Sequence, residues 1–465
     1  MIKNKLILYL SIKVLTVFIC HADRVALWPD GKIPDFQSHQ IAATNKEVKA
    51  KNFNRAEHIM PHLDWFNPPK KKNGACILLI TGGGYNACVD GLWIDRMAKI
   101  FTKLGYVCVN LTYRTPRPER LPIYQSAWQD GQRAVRLIRR AAKNRGFDPE
   151  KIGAVGFSAG SHMTVLLGSS SLTPAYQPID ALDKLPCHIN FAIPVYTAYA
   201  LTDGLTGRNT RDGDSIDVKL SDAFKFDAKT CPMALFHGGT DAYSPNGSVQ
   251  IYRELRRMKI PAEIHLFADR GHGFMGDPNK GENGTAFDNW IDRITEFMRQ
   301  MNFDGQLGKE VDLLSRFKSD AYRKEYRKES IWPDGQIPDL QAKQNQPYLE
   351  WHMPKELKTK AIQIIYSGGG YGGNNPDSFE VAPTRHYLNE KGMTVVTLKY
   401  RSPRPLGGLA KHTTAWQDLQ RTIRIVRNQA EKEGLDPDRI GIMGSSAGGH
   451  LTLMGATSSK NRAYL

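Results

Sequence analysis

The segment that most constrains this chain is IGAVGFSAGSHMTVLLG, residues 152–168. A short apolar run of buried-strand type ends in Gly156-Phe157-Ser158-Ala159-Gly160 and passes directly into a run with helical character. So tight a turn from strand to helix leaves no room for large side chains two positions before or after the serine, and both positions are glycine. It also exposes the Ser158 hydroxyl at a helix N-terminus, where the helix dipole favours developing negative charge. The same construction returns as IGIMGSSAGGHLTLMG, residues 440–455, centred on Ser446.

The recurrence extends well beyond the serine. WPDGKIPD at 28–35 returns as WPDGQIPD at 332–339, GGGY at 82–85 returns at 368–371, and YRTPRP at 113–118 returns as YRSPRP at 400–405. AWQD at 127–130 matches 415–418, and FDPEKIGAVGFSAG at 147–160 matches LDPDRIGIMGSSAG at 435–448. A period this long is a whole domain, not the repeat of a solenoid, so tandem domains are expected. The boundaries expected are a signal peptide over 1–22, a complete domain over 23–302, a polar, partly helical linker over 303–331, and a truncated second copy over 332–465. The second copy runs only a short way past Ser446. Its histidine and acid are therefore expected to be missing and Ser446 to be inactive in this chain; truncation is preferred over a non-catalytic remnant or a half that pairs with another chain.

Apolar runs of the buried parallel-strand type fall at 75–81, 106–112, 151–156, 188–196, 232–237 and 262–267, with helical patterns at 93–104 and 123–145 between them. This alternation predicts a mostly parallel central sheet with helices on both faces, and a ligand site beyond the carboxyl ends of the strands. At 465 residues, 41% hydrophobic and 24% charged, without low-complexity runs, the chain has the composition of a globular protein. Lys3 and Lys5 precede an apolar stretch that ends at Cys20-His21-Ala22, the pattern of a cleaved export signal, and Lys13 interrupts it too early for a spanning helix. A secreted or periplasmic protein without integral membrane association is expected.

The net charge of +16 comes with no nucleic-acid recognition motif, so no nucleic-acid partner is expected. Arg133, Arg136, Arg139 and Arg140 are expected on a solvated helix face. Cys76, Cys88, Cys108, Cys187 and Cys231 are too few and too scattered for a disulfide framework, although one bridge is compatible with the spacing. No Cys/His spacing suggests a metal site.

The chemistry concentrates at strand ends. Ser158 is the candidate nucleophile. Gly83 and Gly84, in the loop after the first strong strand, are expected to turn their amides toward a carbonyl oxygen and to form an oxyanion hole with the amide of Ala159. If the chain order is serine, acid, histidine, the base is His272 in Gly271-His272-Gly273-Phe274, and the acid is Asp241 in ALFHGGTDAYSP. His162, Asp269 and Asp203 are weaker rivals, residues 204–217 read as a lid or insertion, and Arg114 with Asp130, like Arg401 with Asp418, reads as a structural ion pair.

TGGGY, YRTPRP, SAWQDGQRAVRLIRRAA, DPEKIGAVGFSAGSH and HGGTDAYSP ending in GHGF together resemble the acetylesterase and acetylxylan-esterase-like (BD-FAE-like) branch of the α/β-hydrolases, over residues 24–300 and again over 332–465. Ser161 departs from the second glycine usual there, which the other copy keeps at Gly449. The resemblance implies an α/β-hydrolase fold and hydrolysis of acetyl or other small acyl esters on carbohydrate, through an acyl-enzyme on Ser158, without cofactor or metal. A prolyl-oligopeptidase-like peptidase and a non-catalytic carbohydrate-binding scaffold are the alternatives.

Overall fold

The computed structural model describes residues 23–36, 60–69, 72–88, 92–274, 286–304, 326–458 and 460–464. The expected signal peptide and residues 305–325 of the expected linker lie outside these. The chain divides into two compact units, residues 1–309 and 310–465.

In the first unit the strands run β1 Asp23–Ala26, β2 His62–Phe66, β3 Cys76–Ile80, β4 Val107–Thr112, β5 Ile152–Phe157, β6 Phe191–Val195, β7 Leu201–Asp203, β8 Asn209–Thr210, β9 Val218–Leu220, β10 Met233–Gly238 and β11 Ala262–Phe267. Eight of them form one sheet in the order β1-β2-β4-β3-β5-β6-β10-β11. From β4 to β11 every pairing is parallel, and β2 and β1 add antiparallel at one edge. The fold is that of an α/β-hydrolase. Strand β3 shows why its sequence is continuously apolar: Cys76, Leu78 and Ile80 pack into one core and Ile77 and Leu79 into another, because helices cover both faces. Phe101 from helix Leu92–Lys103 and Trp290 from helix Ala286–Gln300 fill the second core.

Helix Gln125–Arg145 ends at Gly146, whose left-handed backbone (φ 71°) lets its amide reach the carbonyls of Ala142 and Lys143. The expectation of a solvated arginine face holds for Arg140, which is exposed, and fails for Arg133 and Arg139. Arg133 is buried against Asp180 (2.6 Å) and Asp183 (3.0 Å), and Arg139 is buried with its guanidinium donating to the carbonyls of Pro186 and His188. The segment between residues 170 and 190 lies over this helix and turns the stripe inward; helical periodicity carries no trace of that loop.

Arg114 and Asp130 form a fully buried ion pair at 3.0 Å. Trp28 Nε1 donates to the same carboxylate at 2.7 Å, and the Arg114 guanidinium reaches the Pro34 carbonyl, so the WPDGKIPD segment is tied to the helix by one node.

The second unit repeats this plan. Its strands are β12 Arg327–Ser330, β13 Tyr348–His352, β14 Ile362–Tyr366, β15 Thr394–Lys399 and β16 Ile440–Gly444, in the order β12-β13-β15-β14-β16, which is the order of β1 to β5. Arg401, Asp418 and Trp332 rebuild the node, with Trp332 Nε1 2.7 Å from Asp418. Strand β12 starts at Arg327, inside the expected linker, because it pairs antiparallel with β13 as β1 does with β2. Helix Ala447–Thr457 buries only Gly448 and Leu451, whereas every residue of its counterpart Ala159–Ser169 is buried. Among the described residues no helix is long and apolar enough to cross a membrane.

Candidate active site

Strand β5 delivers Ser158 into a left-handed backbone (φ 57°, ψ −118°), a conformation rare for a non-glycine residue and fixed here by its surroundings. A Cβ on Gly156 would lie 2.3 Å from the Gly160 carbonyl oxygen, and one on Gly160 would lie 2.2 Å from that of Ile80, so neither position accepts a side chain. The Ser158 side chain does not cap the helix it starts; it points instead to His272, with Oγ 2.7 Å from Nε2.

His272 follows β11, and Asp241 follows β10, its parallel neighbour, so adjacent strand ends bring them together. The Asp241 oxygens lie 2.9 and 3.0 Å from His272 Nδ1. A carboxylate only accepts, so Nδ1 carries the proton and Nε2 is left to accept from the Ser158 hydroxyl. Asp241 is buried, and burial alone would raise its carboxyl. Hydrogen bonds from His237, His272 and the Tyr243 amide outweigh that and hold it at about 2.

Residues 82–85 form the loop after β3. Tyr113 Oη donates to the Thr81 carbonyl (3.0 Å) and the Gly82 carbonyl (3.4 Å), the Asn86 and Ala87 amides donate to the Gly83 carbonyl, and Arg117 Nε donates to the Gly84 carbonyl at 2.8 Å. Because N–H and C=O oppose each other across a trans peptide, turning these carbonyls into the protein turns the amides of Gly83 and Gly84 the other way. No acceptor is assigned to those two amides, or to that of Ala159, among the described residues. Gly83 adopts φ 125°, which only glycine takes readily. Gly82 packs against the serine, its Cβ position 3.0 Å from Ser158 Cβ.

The rivals fall elsewhere. His162 is buried beneath the loop with Nδ1 2.9 Å from Tyr85 Oη, and burial pushes its imidazole down to about 3, so it is neutral. Asp269 is exposed beside Arg270, and Asp203 caps the amides of Leu205 and Thr206. Residues 204–217 are less irregular than expected: β7, β8 and β9 make a small antiparallel sheet around them. Ser161 hydrogen-bonds Thr197 at 2.7 Å in the core, which explains a hydroxyl where glycine is usual.

Sequence reasoning missed three features. His237 Nε2 faces Asp241 at 3.3 Å and the Tyr243 carbonyl at 2.9 Å, while its Nδ1 faces the Ser248 hydroxyl at 2.8 Å. The signal was a histidine ending an otherwise apolar strand. The Tyr85–His162 pair was visible only as the return of the same two residue types in the second copy, in GGGY and SAGGH, where Tyr371 lies 2.8 Å from His450. The rings of Tyr196 and Tyr243 flank His272 at 5.1 and 5.0 Å.

In the second unit Ser446 repeats the left-handed backbone at φ 53°, and Ser445 hydrogen-bonds Glu380 beside it. Among the described residues no imidazole is bonded to Ser446. Nor is any group of three or more His, Cys, Asp or Glu placed to hold a metal.

The BD-FAE family model matches residues 63–217 and 349–464, which is more than half of the chain. The chain belongs to the BD-FAE family. This family match thus takes in both serine turns, and the Dienelactone hydrolase family matches residues 219–302, where Asp241 and His272 lie. Among relatives of this BD-FAE protein, endo-1,4-beta-xylanase B of Butyrivibrio fibrisolvens is 29% identical over 43% of this chain and 32% of its own. The acetylxylan esterase of Xylanibacter ruminicola is 33% identical over 23% of this chain and 21% of its own. The chain thus spans a third or less of the length of these two relatives. Among solved structures, an acetyl ester-xyloside bifunctional hydrolase from Caldicellulosiruptor lactoaceticus is 20% identical over 61% of this chain and 97% of that one, with a TM-score of 0.45.

Proposed function

We propose that the first unit is an exported serine carboxylic-ester hydrolase that removes acetyl or similar small acyl groups from carbohydrate. The observation that carries the chemistry is the unbroken row Ser158 Oγ, His272, Asp241, at 2.7 and 2.9 Å. In this reading Ser158 Oγ attacks the ester carbonyl as its proton passes to His272 Nε2, and the carbonyl oxygen gains the charge held by the amides of Gly83, Gly84 and Ala159. Collapse breaks the bond to the alcohol oxygen, which takes the proton from His272. Water then repeats the sequence on the acyl-enzyme and frees the acid. Asp241 stays ionised throughout and stabilises the imidazolium. The acyl-carbohydrate substrate is favoured by two of the relatives, one a xylanase and one an acetylxylan esterase. Export rests on the pattern of residues 1–22.

Ser158→Ala is expected to abolish turnover of 4-nitrophenyl acetate and labelling by a fluorophosphonate probe. Undiminished turnover would sink the assignment. Acetate release from acetylated xylan, pectin and chitin fragments ranks the substrates, and N-terminal sequencing of protein recovered outside the cytoplasm tests cleavage before Asp23.

A further inference from the structure

Beside His272, four side chains form a ladder. Tyr243 lies 5.0 Å from the imidazole, ring to ring, and meets Tyr199 edge to face at 5.3 Å. Each tyrosine hydroxyl is paired with a guanidinium: Arg117 with Tyr199 at 2.5 Å and Arg211 with Tyr243 at 3.0 Å. The same guanidinium groups lie over the rings, Arg211 at 4.3 Å and Arg117 at 5.3 Å from the centroids. The ladder is held firmly. Tyr199 sits at φ 56°, a left-handed conformation costly for tyrosine, and the loop carrying Arg211 is tied to the strand-end loop of Asp241 by the Ser244 amide on the Arg211 carbonyl and by Asn246 on the Gly213 carbonyl.

The charge at this place is unbalanced. Of the buried arginines of this unit, Arg114 and Arg133 are neutralised by Asp130 and by Asp180 with Asp183, and Arg139 spends its N–H groups on the carbonyls of Pro149, Pro186 and His188. Among the described residues neither Arg117 nor Arg211 has a carboxylate partner. Guanidinium groups hold carboxylates in a planar fork.

We propose that this ladder is a subsite for an acidic sugar: a uronate carried beside the ester, its carboxylate on Arg211 and the free N–H groups of Arg117, the two tyrosines holding those guanidinium groups in place. The proposal rests on the ester-hydrolase reading of the unit. It makes Arg211 a specificity residue that touches substrate without touching the reacting ester.

The test compares acetylated galacturonate oligomers, acetylated neutral xylo-oligosaccharides and 4-nitrophenyl acetate, using the full chain and its Arg211→Gln and Arg211→Lys variants. Wild type is expected to prefer the acidic substrate in kcat/KM, with the preference falling about tenfold in Arg211→Gln and also falling as salt is raised. Arg211→Lys is expected to recover only part of it, and 4-nitrophenyl acetate turnover is expected to be unchanged throughout. Equal hydrolysis of acidic and neutral oligomers by wild type, or a preference untouched by Arg211→Gln, overturns the subsite. If no ester is turned over, the hydrolase reading fails by itself. The subsite is then judged by calorimetric titration of unacetylated galacturonate oligomer, where binding lost in Arg211→Gln supports it and no binding to wild type overturns it.

Discussion

Asp241 receives His272 Nδ1, the Tyr243 amide and His237 Nε2 on one buried carboxylate, which is why its carboxyl lies at about 2 although burial works against ionisation. The group is depressed in the folded state, so its contribution to stability is complete above the unfolded value near ~4 and is lost as pH falls through about 2. Asp241→Asn is expected to lose turnover by about 10⁴-fold, since an amide no longer fixes the imidazole tautomer. The same variant should show a shallower fall in urea midpoint between pH 4 and pH 2 than wild type; an identical fall would mean that other carboxylates dominate. Tyr85→Phe leaves His162 Nδ1 buried without its partner and is expected to cost about 1–3 kcal/mol in urea unfolding. Because the pair also anchors the end of the glycine loop, kcat should fall more than KM changes. At this scale the sequence was legible where chemistry forces a residue type. Ser158, His272 and Asp241 were found from motif and strand order and lie within hydrogen-bonding distance. His237 was missed because a polar residue in an apolar strand has many explanations, and only the fold shows which carboxylate it faces.

Elements were read from their packing. The parallel strands β3 to β6 and β10 announced themselves because both faces are buried and the runs are almost wholly apolar, whereas β11, half-buried at the sheet edge, carries Glu263 and His265 among its apolar residues. Strands β1 and β2, DRVA and HLDWF, were not found: β1 is an exposed antiparallel edge, and the short β2 carries a buried aspartate, Asp64, that is matched by Arg24 across the sheet. Helix Gln125–Arg145 shows the converse failure: its arginines look like a wet face until the covering loop is seen. The node of Trp28, Arg114 and Asp130 gives the repeated WPDG segment its meaning, as a clamp joining the strand-β1 end to the helix that precedes the serine strand. Asp130→Ala would leave a buried guanidinium unpaired, with an expected cost of about 3–5 kcal/mol by urea unfolding, and Asp418→Ala should do the same to the second unit. A loss under 1 kcal/mol in both would show that Trp28 and Trp332 do not depend on the charge.

At the scale of the whole molecule, the two serine turns and the one hydrogen-bonded triad among the described residues predict unequal reactivity. A fluorophosphonate probe is expected to modify one site per chain, located at Ser158 by peptide mapping, and Ser446→Ala should leave turnover of 4-nitrophenyl acetate unchanged. Labelling of Ser446 at a comparable rate would show that its hydroxyl finds a base by another route.

The matching strand order of the two units has a use for protein engineering. β12 to β16 reproduce the register that, in the first unit, receives β6, β10 and β11, while Leu453 stands 65% exposed on the helix that this polypeptide would cover. The second unit can therefore be tested as an acceptor in recombination. Joining residues 187–304 of the first unit behind helix Ala447–Thr457 should create a chimera with its own imidazole beside Ser446, and a second reactive serine in that chimera would show that the two halves of this architecture are interchangeable parts.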